Sequence, residues 1–184
     1  FCKALQPLLK GDQHYLSELE EVQQGFANVI QMQLEKMWAA KLGLEDYNEA
    51  LFSELISLMT LTPVDYTIFF RELSELPDNI RPLKKSFYGE LNASDSGINS
   101  TSPNAQDIEK HWSAWLDKWQ TLVGISDKNG ANQTRSREAI SNQMKQVNPK
   151  YILREWQLVA AYKQAAEGEY ILLRELQEVM TKPY

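Results

Sequence analysis

The sequence predicts an all-α fold, and three observations carry that prediction. Apolar residues recur at three- and four-residue steps through most of the chain, the spacing that gathers them on one side of a helix. Between those periodic stretches fall glycines that end helices and Ser, Thr and Asn residues that start them, two of these with a proline alongside. No stretch alternates apolar and polar residues for long enough to make a half-buried strand.

The first periodic stretch follows Gly11-Asp12 and runs through Leu19, Val22, Phe26, Val29 or Ile30, Leu34 and Met37. It predicts a long amphipathic helix closing at Lys41-Leu42-Gly43-Leu44, with Gly43 in the left-handed position and Leu44 folding back on the last turn. A second helix is expected from about Asp46 to Met59, with Tyr47, Leu51, Leu55 and Leu58 on its apolar face. Thr62-Pro63-Val64-Asp65 then reads as a helix start, with Thr62 as N-cap, Pro63 at the first helical position and Asp65 near the exposed amides. That helix carries Tyr66, Phe69, Phe70 and Leu73 and is expected to end near Leu76-Pro77. Ile80 to Tyr88 is short and ambiguous.

From Asn92 to Asn104 only Ala93 and Ile98 are apolar, which marks a loop or insertion. The chain therefore divides into a helical segment 1–90, a polar stretch 91–105 and a second helical segment 106–184. The next helix places Trp112, Trp115, Leu116, Trp119 and Leu122 on one stripe and stops at Gly124. After a polar loop from Ser126 to Thr134, Ser136 caps a helix through Ile140 and Met144. Asn148-Pro149 repeats the cap-then-proline start and predicts a helix bearing Ile152, Leu153, Trp156 and Val159. Gly168 interrupts it, and a last helix with Leu172, Leu176 and Val179 runs to Pro183.

Composition removes several function classes. With 43% apolar and 24% charged residues in 184, most of the chain has enough apolar surface to fold. A net charge of -6, from 25 acidic and 19 basic side chains, argues against a broad phosphate-binding surface and so against a nucleic-acid partner. Cys2 is the only cysteine, so no internal disulfide or four-thiolate metal site can form. The two histidines, His14 and His111, lack metal-ligand spacing and read as a surface residue and a neighbour of the aromatic stripe. No run reaches the roughly 18 apolar residues of a membrane span. Phe1-Cys2-Lys3 has neither an initiator Met nor a signal-peptide layout, as expected of a piece of something longer. Sequons occur at Asn92, Asn99 and Asn132, in polar stretches that generate such tripeptides freely.

Each candidate for chemistry carries a structural alternative. Trp112, Trp115 and Trp119 would make a stacking platform for a base, but indoles at this spacing also build a helix–helix seam. Glu18, Glu20 and Glu21 fall on a polar helix side, where adjacent residues do not face one another as an acid/base pair must. Arg81, Lys84 and Lys85 suit an acidic partner or a solvated face. In Asn148-Pro149-Lys150-Tyr151-Ile152-Leu153-Arg154, Lys150 and Arg154 would clamp an anion from one helix face; a capped helix start whose Ile152 and Leu153 pack inward explains the same residues. No phosphate-binding glycine loop or nucleophile elbow occurs. No residue is assigned as catalytic, cofactor-binding or metal-binding.

That heptapeptide, continued through Glu155-Trp156 to Ala166, Gly168 and Pro183-Tyr184, resembles the C-terminal signature of the SelO (selenoprotein O) family. Lys41-Leu42-Gly43-Leu44, Leu58-Met59, Asp65-Tyr66-Thr67 with Phe70-Arg71 and Leu73, and Trp115-Leu116 with Trp119 resemble the same family in the same order. Ala4-Leu5-Gln6-Pro7-Leu8-Leu9 is similar to the stretch that follows the family's kinase-like region. The resemblance implies a protein adenylyltransferase that moves AMP from ATP to protein Ser, Thr or Tyr hydroxyls, using ATP with Mg or Mn. It also implies that the nucleotide and metal residues lie upstream of Phe1, so this chain is the helical C-terminal region packed after a kinase-like domain. The upstream domain and the parent's protein substrates are then its partners, in the mitochondrion of a eukaryote or the cytoplasm of a bacterium. Thr121 departs from the pattern, because an Arg is usual shortly after the Trp115 position. The family's Cys or selenocysteine near the C-terminus has no counterpart in Cys2. A free-standing helical interaction module is the alternative.

Overall fold

A computed structural model describes residues 2–9, 11–88, 105–125 and 135–184. The polar stretches from Asn92 to Asn104 and from Ser126 to Thr134, with all three sequons, lie outside the described residues. Among the described residues the structure is helical, with no strand and one isolated antiparallel bridge, Val64 to Phe87. It divides into two compact units, residues 1–38 and 39–184.

The first unit holds α1 (Cys2–Leu5), a 3-10 turn over Gln6–Leu9, and all but the last turn of α2 (Gln13–Lys41). Asp12 starts α2 by accepting the His14 amide at 3.1 Å, which meets one of the exposed amides of the first turn. The helix is as long as the periodicity predicts. Its apolar stripe is exposed, Phe26 at 63% and Val22 at 62%.

The second unit opens on the last turn of α2. Gly43 at φ 69 lets the Leu44 amide reach back to the Ala39 carbonyl at 2.9 Å, and Leu44 is buried, as predicted. A Cβ there would meet Met144 Sδ at 2.7 Å, so close packing also demands glycine. Helix α3 (Glu49–Leu61) starts later than expected because the Asn48 side chain accepts the Leu51 amide at 2.9 Å and caps it. Tyr47 therefore precedes the helix, beside Phe52, while Leu51, Leu55, Leu58 and Met59 are buried.

The expected start at Thr62-Pro63 is not a start. Thr62 closes α3, and Pro63 and Val64 continue extended, as the restriction before a proline favours. The Pro63 carbonyl accepts the Tyr88 amide at 2.9 Å and the Asp65 amide donates to the Ser86 carbonyl at 2.7 Å, which holds the segment straight. Helix α4 (Tyr66–Leu73) begins only at its N-cap Asp65, whose carboxylate accepts the Ile68 amide at 3.1 Å. It also ends early, at Leu73, where the Ser74 hydroxyl donates to the Phe70 carbonyl at 2.7 Å. Tyr66, counted on its apolar face, is exposed. The ambiguous stretch is a 3-10 helix over Arg81–Ser86.

Helix α5 (Ala105–Val123) carries the predicted stripe, with Trp112, Trp115 and Trp119 at 0% exposure and Leu116 buried beside them. Leu122 is the exception: it faces an open cleft beside residues 44–48, and Val123 is buried instead. Helix α6 (Arg137–Val147) starts where predicted, with Ser136 accepting the Ala139 amide at 3.1 Å and Ile140 and Met144 buried.

Asn148-Pro149 does not open a helix either. Asn148 closes α6, and its side chain is taken up by other partners, so it cannot cap the next helix. Residues 149–154 are non-helical, and α7 (Glu155–Ala166) begins six residues past Pro149. Ile152, Leu153, Trp156 and Val159 are exposed rather than packed inward. After Gly168, α8 (Ile171–Thr181) completes the chain as expected, with Leu172 and Leu176 half-buried and Val179 exposed.

Candidate functional site

The tryptophan stripe is built as a seam. Trp112 Nε1 donates to Thr62 Oγ1 at 3.3 Å, Trp115 Nε1 to the Leu51 carbonyl at 3.1 Å, and Trp119 Nε1 to the Leu42 carbonyl at 2.8 Å. Moving down α5 thus moves backwards along the chain, so α5 and α3 run in opposite directions. Buried indoles need a partner for their one polar atom, and all three have one. The rings also touch one another and Phe69, Trp112 meeting Trp115 edge-on at 6.1 Å and Trp115 stacking on Trp119 at 6.4 Å. No ring face is open to a base.

Beside the seam lies a polar node centred on buried Asn148. Its Nδ2 donates to the Lys41 carbonyl at 2.9 Å and to Ser74 Oγ at 3.0 Å, and its Oδ1 accepts from Lys41 Nζ at 3.0 Å. Arg71 Nη1 donates to the Asn148 carbonyl at 3.1 Å. One amide therefore ties the ends of α2, α4 and α6 together. Lys41 also sits over the Phe70 ring at 5.0 Å, and burial lowers its pKa. The same end-closing use recurs at Arg135, which donates to the Gly43 carbonyl at 2.9 Å, and at Arg137, which donates to the Leu76 carbonyl at 2.7 Å.

A second node joins Asp65, Tyr88 and Arg154. The Asp65 carboxylate, 7% exposed, accepts the Tyr88 hydroxyl at 2.9 Å and pairs with Arg154 Nη2 at 2.7 Å. Burial pushes this carboxyl up, but the Ile68 amide, the Tyr88 hydroxyl and Arg154 together outweigh it and hold it below the usual range. Arg154 is thus a clamp for a carboxylate of its own chain, while Lys150 lies over the Tyr151 ring at 5.2 Å. These two residues are not on one helix face, and no shared anion site joins them.

The other candidates are dispersed. Lys84 pairs with Glu109 at 2.8 Å and Lys85 with Glu72 at 3.2 Å, leaving Arg81 on an exposed face. His14 lies on the surface 3.3 Å from Glu18, and Glu20, Glu21 and His111 are exposed. The open cleft by residues 44–48 has a volume of about 300 Å³ and is lined by Glu45, Asp46, Tyr47, Leu122 and Arg135. Among the described residues that line it, Arg135 pairs with Glu45 at 3.4 Å, and Asp46 adds a second carboxylate. Among the described residues no three His, Cys, Asp or Glu side chains are grouped to hold a metal ion. No described helix is long and apolar enough to cross a membrane.

Sequence reasoning missed both polar nodes. Asp65 and Asn148 belong to the two cap-then-proline motifs and Arg154 to the heptapeptide read as an anion clamp, but no local pattern joins Asp65 to Arg154 and Tyr88, or Asn148 to Lys41 and Ser74.

The comparisons agree with the resemblance read from the motifs. The family described as protein adenylyltransferase SelO matches residues 2–181. A protein nucleotidyltransferase YdiU of Aromatoleum aromaticum is 33% identical over 86% of this chain and 28% of its own length. Its namesakes in Rhodopirellula baltica and Vibrio parahaemolyticus are 29% and 28% identical over 100% and 98% of this chain, and 34% and 33% of their own. The chain thus spans about a third of the length of these curated relatives. With nearly every described residue inside the match, this chain belongs to the SelO family.

Proposed function

We propose that the chain is the helical supporting region of a protein adenylyltransferase, an enzyme that moves AMP from ATP to protein hydroxyls, with no catalytic residue of its own. One observation supports that role: four of its half-buried cations close helix ends. Lys41, Arg71, Arg135 and Arg137 all donate to main-chain carbonyls, so they are committed to the fold. AMP transfer needs cations or metal ions free to hold phosphates as the bond to pyrophosphate breaks. In this reading ATP and Mg or Mn belong to a kinase-like domain upstream in the parent protein, and the parent's protein substrates meet that domain.

Purified chain, mixed with ATP and Mg or Mn, is expected to give no calorimetric binding and no labelled AMP on a generic protein. A micromolar ATP site with labelled product from this chain alone would overturn the proposal. The exposed stripe of α2 favours a second reading, a free-standing module that takes a partner helix on that face. Pull-down by the remaining two thirds of a SelO-family relative separates the readings. Capture that depends on Phe26 and Val22 supports the first, and its absence supports the second.

A further inference from the structure

The chain after Asn148 is attached to the rest of its unit in an unusual way. Its two ends are tied to each other, since the Pro183 carbonyl accepts the Lys150 amide at 2.6 Å and the Tyr151 amide at 3.2 Å. Helices α7 and α8 pack against one another. From residue 149 to 184 only Ala161 is buried, against the fully buried Trp112, Trp115 and Trp119 of α5. A segment with so little buried apolar surface draws little stability from the core beneath it.

Two of its attachments differ in kind. Asn148 is fixed from three sides by Lys41, Ser74 and Arg71, and Pro149 comes directly after it with its φ locked. That is a firm pivot. Residues 150–153 then run as an uncoiled strap to Arg154, which grips Asp65 and Tyr88. Asp65 and Tyr88 are themselves held, the first capping α4 and the second bonded by its amide to Pro63. A charge-assisted pair onto a buried carboxylate is short and directional, and it is made or lost as one event.

We propose that residues 150–184 form an arm that opens and closes as a unit about Asn148-Pro149, with the Arg154–Asp65–Tyr88 contact as its latch. Local opening of such a unit exposes backbone that the core keeps protected. The arm therefore has an exchange rate of its own.

Hydrogen exchange read by mass spectrometry on the whole chain tests this. In the parent chain the amides of α7 and α8 should exchange together and faster than those of α3 and α5. Arg154→Gln should quicken that block about tenfold or more, the scale of one lost charged hydrogen bond, and leave α3 and α5 unchanged. Tyr88→Phe, which spares the ion pair, should quicken it less. Lys118→Gln breaks the exposed pair with Glu54 at 2.8 Å and should leave the arm as it was. A common rate for arm and core in the parent chain overturns the proposal without any variant. So does an Arg154→Gln chain in which arm and core quicken equally, or in which the arm does not quicken at all.

Discussion

Along α5 the apolar stripe at Trp112, Trp115 and Trp119 is wholly buried, whereas along α2 the equally periodic stripe leaves Phe26 63% and Val22 62% exposed. Periodicity in a sequence says that a helix has an apolar face, and it does not say what covers that face. The two stripes differ in chemistry. Each indole of α5 carries an N–H that must find an acceptor, and the Leu42 carbonyl, the Leu51 carbonyl and Thr62 Oγ1 supply them. The α2 stripe is Val, Phe, Ile, Leu and Met, with no polar atom to fix a register.

The sharpest test of that difference is truncation on the buried side. Trp115→Ala should destabilise the chain by about 3–5 kcal/mol, since the indole leaves a cavity and orphans the Leu51 carbonyl of its second acceptor bond. At about 2–4 °C per kcal/mol for a chain of this size, the melting temperature drops by roughly 6–20 °C in a thermal scan. A variant that melts with the parent while losing a ligand would revive the stacking-platform reading.

Next in size is Asp65→Asn, which removes the charge from a buried node on the edge of the same seam. The expected loss is about 2 kcal/mol near neutral pH, the scale of hydrogen bonds to a charged group. Its sign with pH is set by the lowered carboxyl. The folded value lies below the unfolded value of about 3.9, so the contribution is full above that value and fades as pH falls through the folded one. Denaturation midpoints of parent and variant should therefore converge on acidification below about pH 4. A constant gap down to pH 2 would mean that Asp65 acts by shape alone.

Gly43→Ala is the third test, with an expected cost of about 1–3 kcal/mol from a left-handed backbone and a crowded Met144. Met144 is a flexible neighbour, which places the effect below that of Trp115→Ala. Urea midpoints give the comparison directly.

The seam itself was readable in the sequence. Trp112, Trp115 and Trp119 sit at helical spacing, and Gly43 and Gly124 stop their helices where a residue past the stop, Leu44 or Ile125, is buried. Local rules failed at the two prolines. Thr62-Pro63 and Asn148-Pro149 have the residue types of helix starts, yet each lies at the end of the preceding helix. What decides between the two is whether distant groups claim the backbone and the capping side chain. Ser86 and Tyr88 do so at the first, Lys41 and Ser74 at the second. Such partners are 20 to more than 100 residues away, beyond any local pattern. Arg154 was visible as a cation in a distinctive heptapeptide, but its carboxylate partner lies across a polar stretch of the sequence, so its grip on Asp65 was not.

The smallest expected effect is on the exposed side of the comparison, at Phe26. Serine and phenylalanine have similar helix propensities, so Phe26→Ser leaves the intrinsic helicity of α2 nearly unchanged. A side chain already 63% exposed gives up little burial when removed. The change should therefore shift the stability of this chain by less than about 0.5 kcal/mol, as surface substitutions generally do. The same change in a full-length SelO-family protein carrying this chain should cost about 1.5–3 kcal/mol if the stripe is covered there, the transfer free energy of a buried phenyl ring. Paired urea titrations of the short and long proteins measure the difference. A loss above about 2 kcal/mol in the short chain would mean that the stripe is buried without help, and a loss near zero in both would leave α2 facing solvent in the parent as well.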